Sequence, residues 1–459
     1  MRGPFLLLVG ATFALGCNTK ADPFKPVPEC KGPTVVPFMG DRQMVVSALA
    51  IADANEGFDL DKNGTIDNKL SALGALANTQ ITATFMKAHS IVIPIELWGY
   101  MGETNDACTK LAFYVGKFNK DRDGDGKDTT WDLSGMFPAG DCLDTDPNVR
   151  PNTDETGARA SNRLDDDCDG FADNATKGQK PSGALADMDL DGDGYSLSMG
   201  DCDDRNDATN LALAKSRHPG AKDICDDGID QDCDGIPDND PSCDPFKMND
   251  VKVQVTQMSF DPSNNPLITF KDGFVTNNQF TAGPDLFNFS APFQNININL
   301  LLSGAHLQMD LADNTSQKLT TASNGLLGGV IEAVTMGQIT GISAGTFIKP
   351  DQSLLDAIML GGIAGVLGLD VDKDNHPLVD IDVDGDGIET FWQATPTPGM
   401  SAHVDTCKDG DGTIITSTPT APCVLAKDAK GNYRFVDGLS IALKFSAVPA
   451  KIDPMIIPK

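Results

Sequence analysis

Between Asp187 and Asp240 carboxylates fall on alternate residues, glycines follow at fixed offsets, and cysteines sit among the acids. The stretch reads D-M-D-L-D-G-D-G-Y, then G-D-C-D-D, then H-P-G-A-K-D-I-C-D-D-G-I-D-Q-D-C-D-G-I-P-D-N-D. A looser copy precedes it: D-R-D-G-D-G-K-D from Asp121, G-D-C-L-D from Gly140 and L-D-D-D-C-D-G-F-A-D from Leu164. This is an internal repeat, and over 119–243 long apolar runs nearly vanish. Three convergent carboxylates repel one another strongly, so such segments need a partner of opposite charge to fold.

Calcium fits that requirement. It takes six to eight oxygen ligands, and a short loop supplies them when positions 1, 3 and 5 converge, glycine turns the chain at 6, and positions 7 and 9 add more. Asp59, Asp61, Asn63, Gly64 and Asp67 fill positions 1, 3, 5, 6 and 9. So do Asp165, Asp167, Asp169, Gly170 and Asp173, and again Asp230, Asp232, Asp234, Gly235 and Asp238. Asp121, Asp123, Asp125 and Gly126 fit with Asp132 at position 12; Asp189, Asp191, Asp193 and Gly194 fit with Asp201 just past the loop. Asp382, Asp384, Asp386 and Gly387 repeat the pattern near the end. Leu70, Thr176, Pro241 and Gln393 stand where a helix-loop-helix site has its bidentate glutamate, so the missing ligands must come from elsewhere. Asp141, Asp144, Asp201, Asp203 and Asp204 are the available donors. Acidic turns that merely stay hydrated are the plain alternative for one loop. Six loops in register argue against it.

Cys168 and Cys233 occupy loop position 4, pointing away from an ion held by positions 3 and 5, which favours disulfides over a thiolate metal site. Comparing the copies pairs Cys142 with Cys168, Cys202 with Cys233 and Cys225 with Cys243; Cys407–Cys423 and Cys30–Cys108 follow. The second copy resembles the MopE-type metal-binding motif of secreted and surface bacterial proteins, closely over 187–240 and loosely over 121–173. Thrombospondin type 3 repeats are a weaker resemblance. The family name implies copper, but copper prefers imidazole, thioether or thiolate ligands. His89, His218, His306, His376 and His403 are scattered, so calcium is the expected ion.

The flanks have a different composition. With 40% hydrophobic residues the chain of 459 residues can bury a substantial core. Val251, Val253 and Val255 alternate with polar residues, as do Ile441, Leu443 and Phe445. Ile296 to Leu300 and Ala305 to Leu311 alternate on either side of Ser303-Gly304, which predicts a hairpin turning there. Pro94 predicts an edge strand over 90–98. Helices are expected around Leu70, Leu73 and Leu76, from Leu326 to Val334 and from Asp351 to Leu360. The expected fold is mainly β with a few short helices: an antiparallel β-rich body plus irregular, disulfide-bonded calcium loops.

Residues 1–17 read as an export signal, ending in Ala14-Leu15-Gly16-Cys17. That ending resembles the lipobox of bacterial lipoproteins, whose cysteine is diacylated, although Ala14 stands where leucine is usual. Removing Cys17 from the 11 cysteines leaves an even ten. The implied organisation is a signal over 1–17, a tether over 18–35, a globular part over 36–118, the repeats over 119–243 and a β-rich part over 244–459, with the alternative that 36–118 and 244–459 form one domain. A formal net charge of −31 disfavours nucleic acid and anionic lipid headgroups and favours divalent cations as partners. No G-x-S-x-G, H-E-x-x-H, Walker or dinucleotide motif is present, so no enzyme is expected. The expectation is a calcium-binding protein lipid-anchored at the bacterial outer membrane or cell surface, with a structural, adhesive or assembly role and an unidentified protein or glycan partner. The alternative is a secreted hydrolase or metal-acquisition protein with structural calcium.

Overall fold

The computed structural model describes residues 29–118 apart from 87, 88 and 90, and residues 141–339 apart from 152, 175, 226, 239, 241–242, 248–250 and 294–295. It also describes 353–369 apart from 360–362, and 379–381, 406–408, 414–416 and 438–457. Twelve strands lie among these residues: β1 (Arg42–Ile51), β2 (Pro94–Trp98), β3 (Asp106–Phe113), β4 (Gly116–Phe118), β5 (Val251–Thr256), β6 (Ile268–Thr276), β7 (Gln279–Phe293), β8 (Ile296–Asn314), β9 (Leu319–Glu332), β10 (Thr406–Lys408), β11 (Ile414–Thr416) and β12 (Gly438–Ile457). Helices are few and short, so the architecture is mainly β, as the alternating patterns imply.

Eight strands close on themselves in the order β1-β2-β3-β6-β7-β8-β9-β12 and back to β1, every neighbour antiparallel. Alternate residues point inward and fill the barrel: Met44, Ile95, Leu111, Phe270, Phe280, Leu307 and Met309 are all fully buried in one cluster. Each such side chain contributes about 1.5–3 kcal/mol on leaving water. Closure also removes the exposed edges that an open sheet of this size would present. Beyond Ala450 the last strand leaves the barrel wall and runs parallel to β5, which pairs in turn with β4. The chain leaves the barrel after β3 and re-enters it at β6, so the described part of the repeats, 141–243, lies within that single connection.

Three local expectations are corrected. Ser303-Gly304 makes no hairpin; β8 runs straight through it for 19 residues. Gly304 adopts φ 55°, and the pairing of β8 with β9 shifts register between Ser303 and His306. A bulge inserts one residue, so the inward phase switches from Leu302 to Ala305, Leu307 and Met309 without a turn. Pro94 is not on an edge: β2 lies between β1 and β3, and proline is tolerated as its first residue. The stretch from Leu326 is strand up to Glu332, and helix forms only over Ala333–Gln338. Its glycines serve close packing, since a Cβ on Gly328 would stand 2.7 Å from the Phe58 ring and one on Gly329 2.8 Å from the Ser303 carbonyl.

The buried charged groups Glu96 and Arg42 of the barrel are partnered, whereas Thr109 Oγ1 on β3 makes no hydrogen bond. Glu96, 0% exposed, accepts from Gly40 N (2.6 Å), Phe38 N (3.0 Å), Gln43 Nε2 (3.1 Å) and the Tyr114 hydroxyl (2.7 Å). Arg42 makes a two-pronged contact with Asp313, at 2.6 and 3.0 Å. The segment leading into β1 is held by a Cys30–Cys108 disulfide and a 2.7 Å ion pair between Glu29 and Lys110. No helix of the described residues is long and apolar enough to cross a membrane, which says nothing about strands.

Candidate metal centres

Four acidic loops share one backbone design. In each, the side chain at position 1 accepts the N–H of position 6: Asp59 from Gly64 (3.0 Å), Asp165 from Gly170 (2.8 Å), Asp189 from Gly194 (3.1 Å) and Asp230 from Gly235 (2.9 Å). Position 6 is left-handed throughout, with φ 94°, 87°, 102° and 87°, a conformation that glycine adopts without steric cost. Position 4 is left-handed as well, at Lys62, Cys168, Gly192 and Cys233. Two left-handed residues separated by one curl the chain and turn the carboxylates of positions 1 and 3 toward a common point.

The two copies are interlocked. Leu143 of the first G-D-C-L-D bridges Ile229 beside the last loop, and Asp203 of the second G-D-C-D-D bridges Leu164 beside the earlier loop. Asp230 N donates to Cys142 O (3.0 Å) and Asp165 N to Cys202 O (2.9 Å); Asp144 N donates to Gly228 O and Asp204 N to Arg163 O, both at 2.9 Å. Each copy therefore pairs with the other copy's loop, while the disulfides Cys142–Cys168 and Cys202–Cys233 stay within a copy. Cys225–Cys243 closes the end of the second copy. These pairs and Cys30–Cys108 are those expected from the repeat comparison. Cys423 lies outside the described residues, and with it the pairing expected for Cys407.

Five groups of three acids bring one carboxylate oxygen each within 4.8 Å of one another: Asp59, Asp61 and Asp67; Glu155, Asp165 and Asp167; Asp189, Asp191 and Asp204; Asp191, Asp193 and Asp201; Asp223, Asp230 and Asp232. They are not equivalent. Asp204 is already engaged, accepting from Leu190 N (2.6 Å), Asp191 N (3.0 Å) and the Arg163 guanidinium. The first group is partly exposed. In the other three, buried oxygens have no hydrogen-bond partner: Asp167 Oδ1, Asp191 Oδ2, Asp193 Oδ2, Asp201 Oδ2 and Asp230 Oδ1. Asp201 and Asp230 are 0% exposed. A buried, unpartnered carboxylate oxygen costs several kcal/mol unless a cation or a proton meets it.

The acidities register that cost. Burial pushes Asp201 up to about 8, and the neighbouring carboxylates of Asp193, Asp204 and Asp191 add to the shift. Burial likewise raises Glu155 to about 8 and Asp165 and Asp230 to about 7. Asp191 and Asp67 rise to about 6, again mainly by burial. Without a counter-charge Asp201 and Glu155 favour the protonated form at neutral pH, and Asp165 and Asp230 are about half protonated; a divalent cation is the alternative that keeps every ligand ionised.

The other expected ligands are placed as follows. Asn63 accepts from Thr65 N (2.8 Å) and donates to Asp61 (2.7 Å). Asp169 accepts from Phe171 N (3.0 Å) and the Asn174 amide (2.7 Å), and Asp234 accepts from Ile236 N (2.9 Å). Asp173 receives Arg163 N (3.0 and 3.1 Å), while Asp238 receives Gly228 N (3.2 Å) and Asp227 N (3.3 Å), so in these two loops position 9 braces the loop entrance, whereas Asp67 joins its cluster. Asp121, Asp123, Asp125, Asp132, Asp382, Asp384, Asp386 and Cys17 lie outside the described residues.

Two clustered acids were missing from the loop pattern. Glu155 and Asp223 each stand upstream of the loop they join. Each also accepts the N–H of the residue after the loop's first aspartate: Asp166 N to Glu155 (3.2 Å) and Gln231 N to Asp223 (2.9 Å). The signal was present, since both lie four residues after a proline, Pro151 and Pro219. Allowing for a different spacing between that segment and the loop would have aligned them.

The family model Cu-binding_MopE, described as "Putative metal-binding motif", matches residues 141–174 and 201–239. These two stretches contain the interlocked halves, with Glu155, Asp165, Asp167, Asp201, Asp223, Asp230 and Asp232. The chain thus carries two copies of a metal-binding motif, and Asp191 and Asp193 lie between them. No curated protein and no solved structure matches the chain.

Proposed function

We propose that this chain is a non-enzymatic, calcium-binding protein of the bacterial cell envelope, lipid-anchored through Cys17, in which bound ions hold the repeat region in one shape for a structural, adhesive or assembly role. The observation that carries the ion assignment is the set of buried, unpartnered carboxylate oxygens of Asp167, Asp201 and Asp230. The ligands grouped with them are carboxylates, with Lys177 Nζ 3.5 Å from the other oxygen of Asp167; no histidine or cysteine joins a cluster among the described residues. All-oxygen donor sets suit calcium or magnesium, whereas copper favours nitrogen and sulfur. His218 stacks on Tyr195 with ring centres 4.6 Å apart, and the loop cysteines are consumed in disulfides.

Elemental analysis of the full chain, dialysed against buffer holding equal calcium, magnesium and copper, tests the assignment. Several calcium ions per chain and no retained copper is the expected result. Retained copper without calcium would overturn it. Growth with radiolabelled palmitate tests the anchor: label should enter the protein and be lost in Cys17→Ala.

A further inference from the structure

We propose that the Asp165 and Asp230 loops form one coupled two-ion unit, in which a divalent cation in either loop raises the affinity of the other. The inference rests on the cation reading above and adds to it how the sites are filled.

The coupling is built from a closed ring of bonds. The first ligand of one loop, Asp165, hangs by its N–H from the carbonyl of Cys202, at 2.9 Å. The sulfur of Cys202 is bonded to Cys233, which stands between Asp232 and Asp234 inside the opposite loop. Reciprocally, Asp230 hangs from Cys142 at 3.0 Å, and Cys142 is bonded to Cys168, between Asp167 and Asp169. Each loop therefore positions the first ligand of the other through one hydrogen bond and one disulfide.

The loops also touch back to back. A Cβ on Gly170 would stand 3.3 Å from the Cys233 carbonyl, and one on Gly235 3.6 Å from that of Cys168. Arg217, 0% exposed, adds a second strut. Its Nε donates to Asp230 O (3.0 Å) and its Nη1 to Asp203 Oδ2 (3.2 Å), and Asp203 bridges Leu164, the residue before Asp165. Arg217 has no basic counterpart in the first copy: counted back from the shared proline, its position is held by Val149. One guanidinium thus serves both loops. An ion that fixes one loop fixes anchors the other also uses, so the second ion meets a loop that is already ordered. That is positive coupling through shared ordering.

The test uses the full chain labelled with ¹⁵N-glycine and titrated with calcium alone, following the Gly170 and Gly235 amides. In the native sequence both signals should move over the same calcium range. Asp232→Asn should then raise the calcium midpoint reported by Gly170 about fivefold or more, and Asp167→Asn should likewise raise that of Gly235, since the coupling free energy is reciprocal. Arg217→Met leaves every ligand in place; both ions should still bind, with a smaller coupling factor. A Gly170 midpoint that stays put in Asp232→Asn, with the other glycine signals showing a folded chain, overturns the coupling alone. If neither amide responds to calcium in the native sequence, the ion reading falls and the coupling falls with it.

Discussion

Glu96 in the barrel and Asp230 in the repeats are both carboxylates with no exposed surface, and their surroundings are opposite. Four donors surround Glu96, two from the backbone before β1 and two from side chains. Asp230 receives Gly235 N on one oxygen and has no partner on the other. The barrel satisfies its buried carboxylate Glu96 from within and packs a large apolar core. The repeats have only small apolar clusters, one of Leu143, Val149 and Leu164 with two cysteines and one of Ala172, Ala186 and Leu197, and on the proposed reading they lean on disulfides and on bound cations. The proposed function thus sets a barrel stabilised from within beside a region whose folding would be linked to solution conditions.

The largest effect should separate the two regions by redox state. Replacing Cys202 and Cys233 by serine should cost the repeats about 2–5 kcal/mol while leaving the barrel's unfolding unchanged. Differential scanning calorimetry of the variant checks this, and a matching loss in the barrel transition would dissolve the distinction.

A smaller effect should appear in the barrel alone. Asp285 on β7 is raised to about 6, chiefly by burial and further by Asp272. Its folded acidity is weaker than its unfolded one, so its contribution is fully present below about pH 4 and is lost as pH rises through 6. Native protein should lose on the order of 2 kcal/mol over that window relative to Asp285→Asn, with or without calcium. Urea unfolding at a series of pH values reads the difference.

The smallest effect carries a change of sign. Asp201→Asn keeps an acceptor for Asp203 N but removes the charge. In calcium it should lower affinity about tenfold, or about 1.4 kcal/mol. With chelator at pH 9 it should instead unfold later than the native chain, because a buried ionised oxygen has been removed. Loss of stability under both conditions would mean that Asp201 is structural in the way Glu96 is.

The same contrast sets what the residues made legible. The mainly β class followed from alternation such as Val251, Val253 and Val255, all fully buried on β5. Barrel closure did not follow, because β1 and β12 pair across nearly the whole chain and no local pattern encodes that. The bulge at Gly304 hid the continuity of β8, since a change of phase reads as a turn in one dimension. Glycines at 325, 328 and 329 obscured β9, where contacts from neighbouring strands decide the conformation. The ion loops were easier to see, because positions 1, 3 and 6 act within a few residues of each other. Glu155 and Asp223 escaped, coming from segments whose distance to the loop differs between the copies. The exchange of pairing between copies was equally hidden, because a repeat announces likeness and not which copy pairs with which.

The most direct test of the central claim is calorimetry of the full chain in about 10 mM calcium and then in excess chelator. At dissociation constants of roughly 10⁻⁴–10⁻³ M, each ion should add about 1.4–2.7 kcal/mol. With three such centres the repeat transition should fall by at least about 10 °C on chelation, while the barrel transition stays in place. A chelator that removes no calcium and leaves both transitions unmoved would contradict the account.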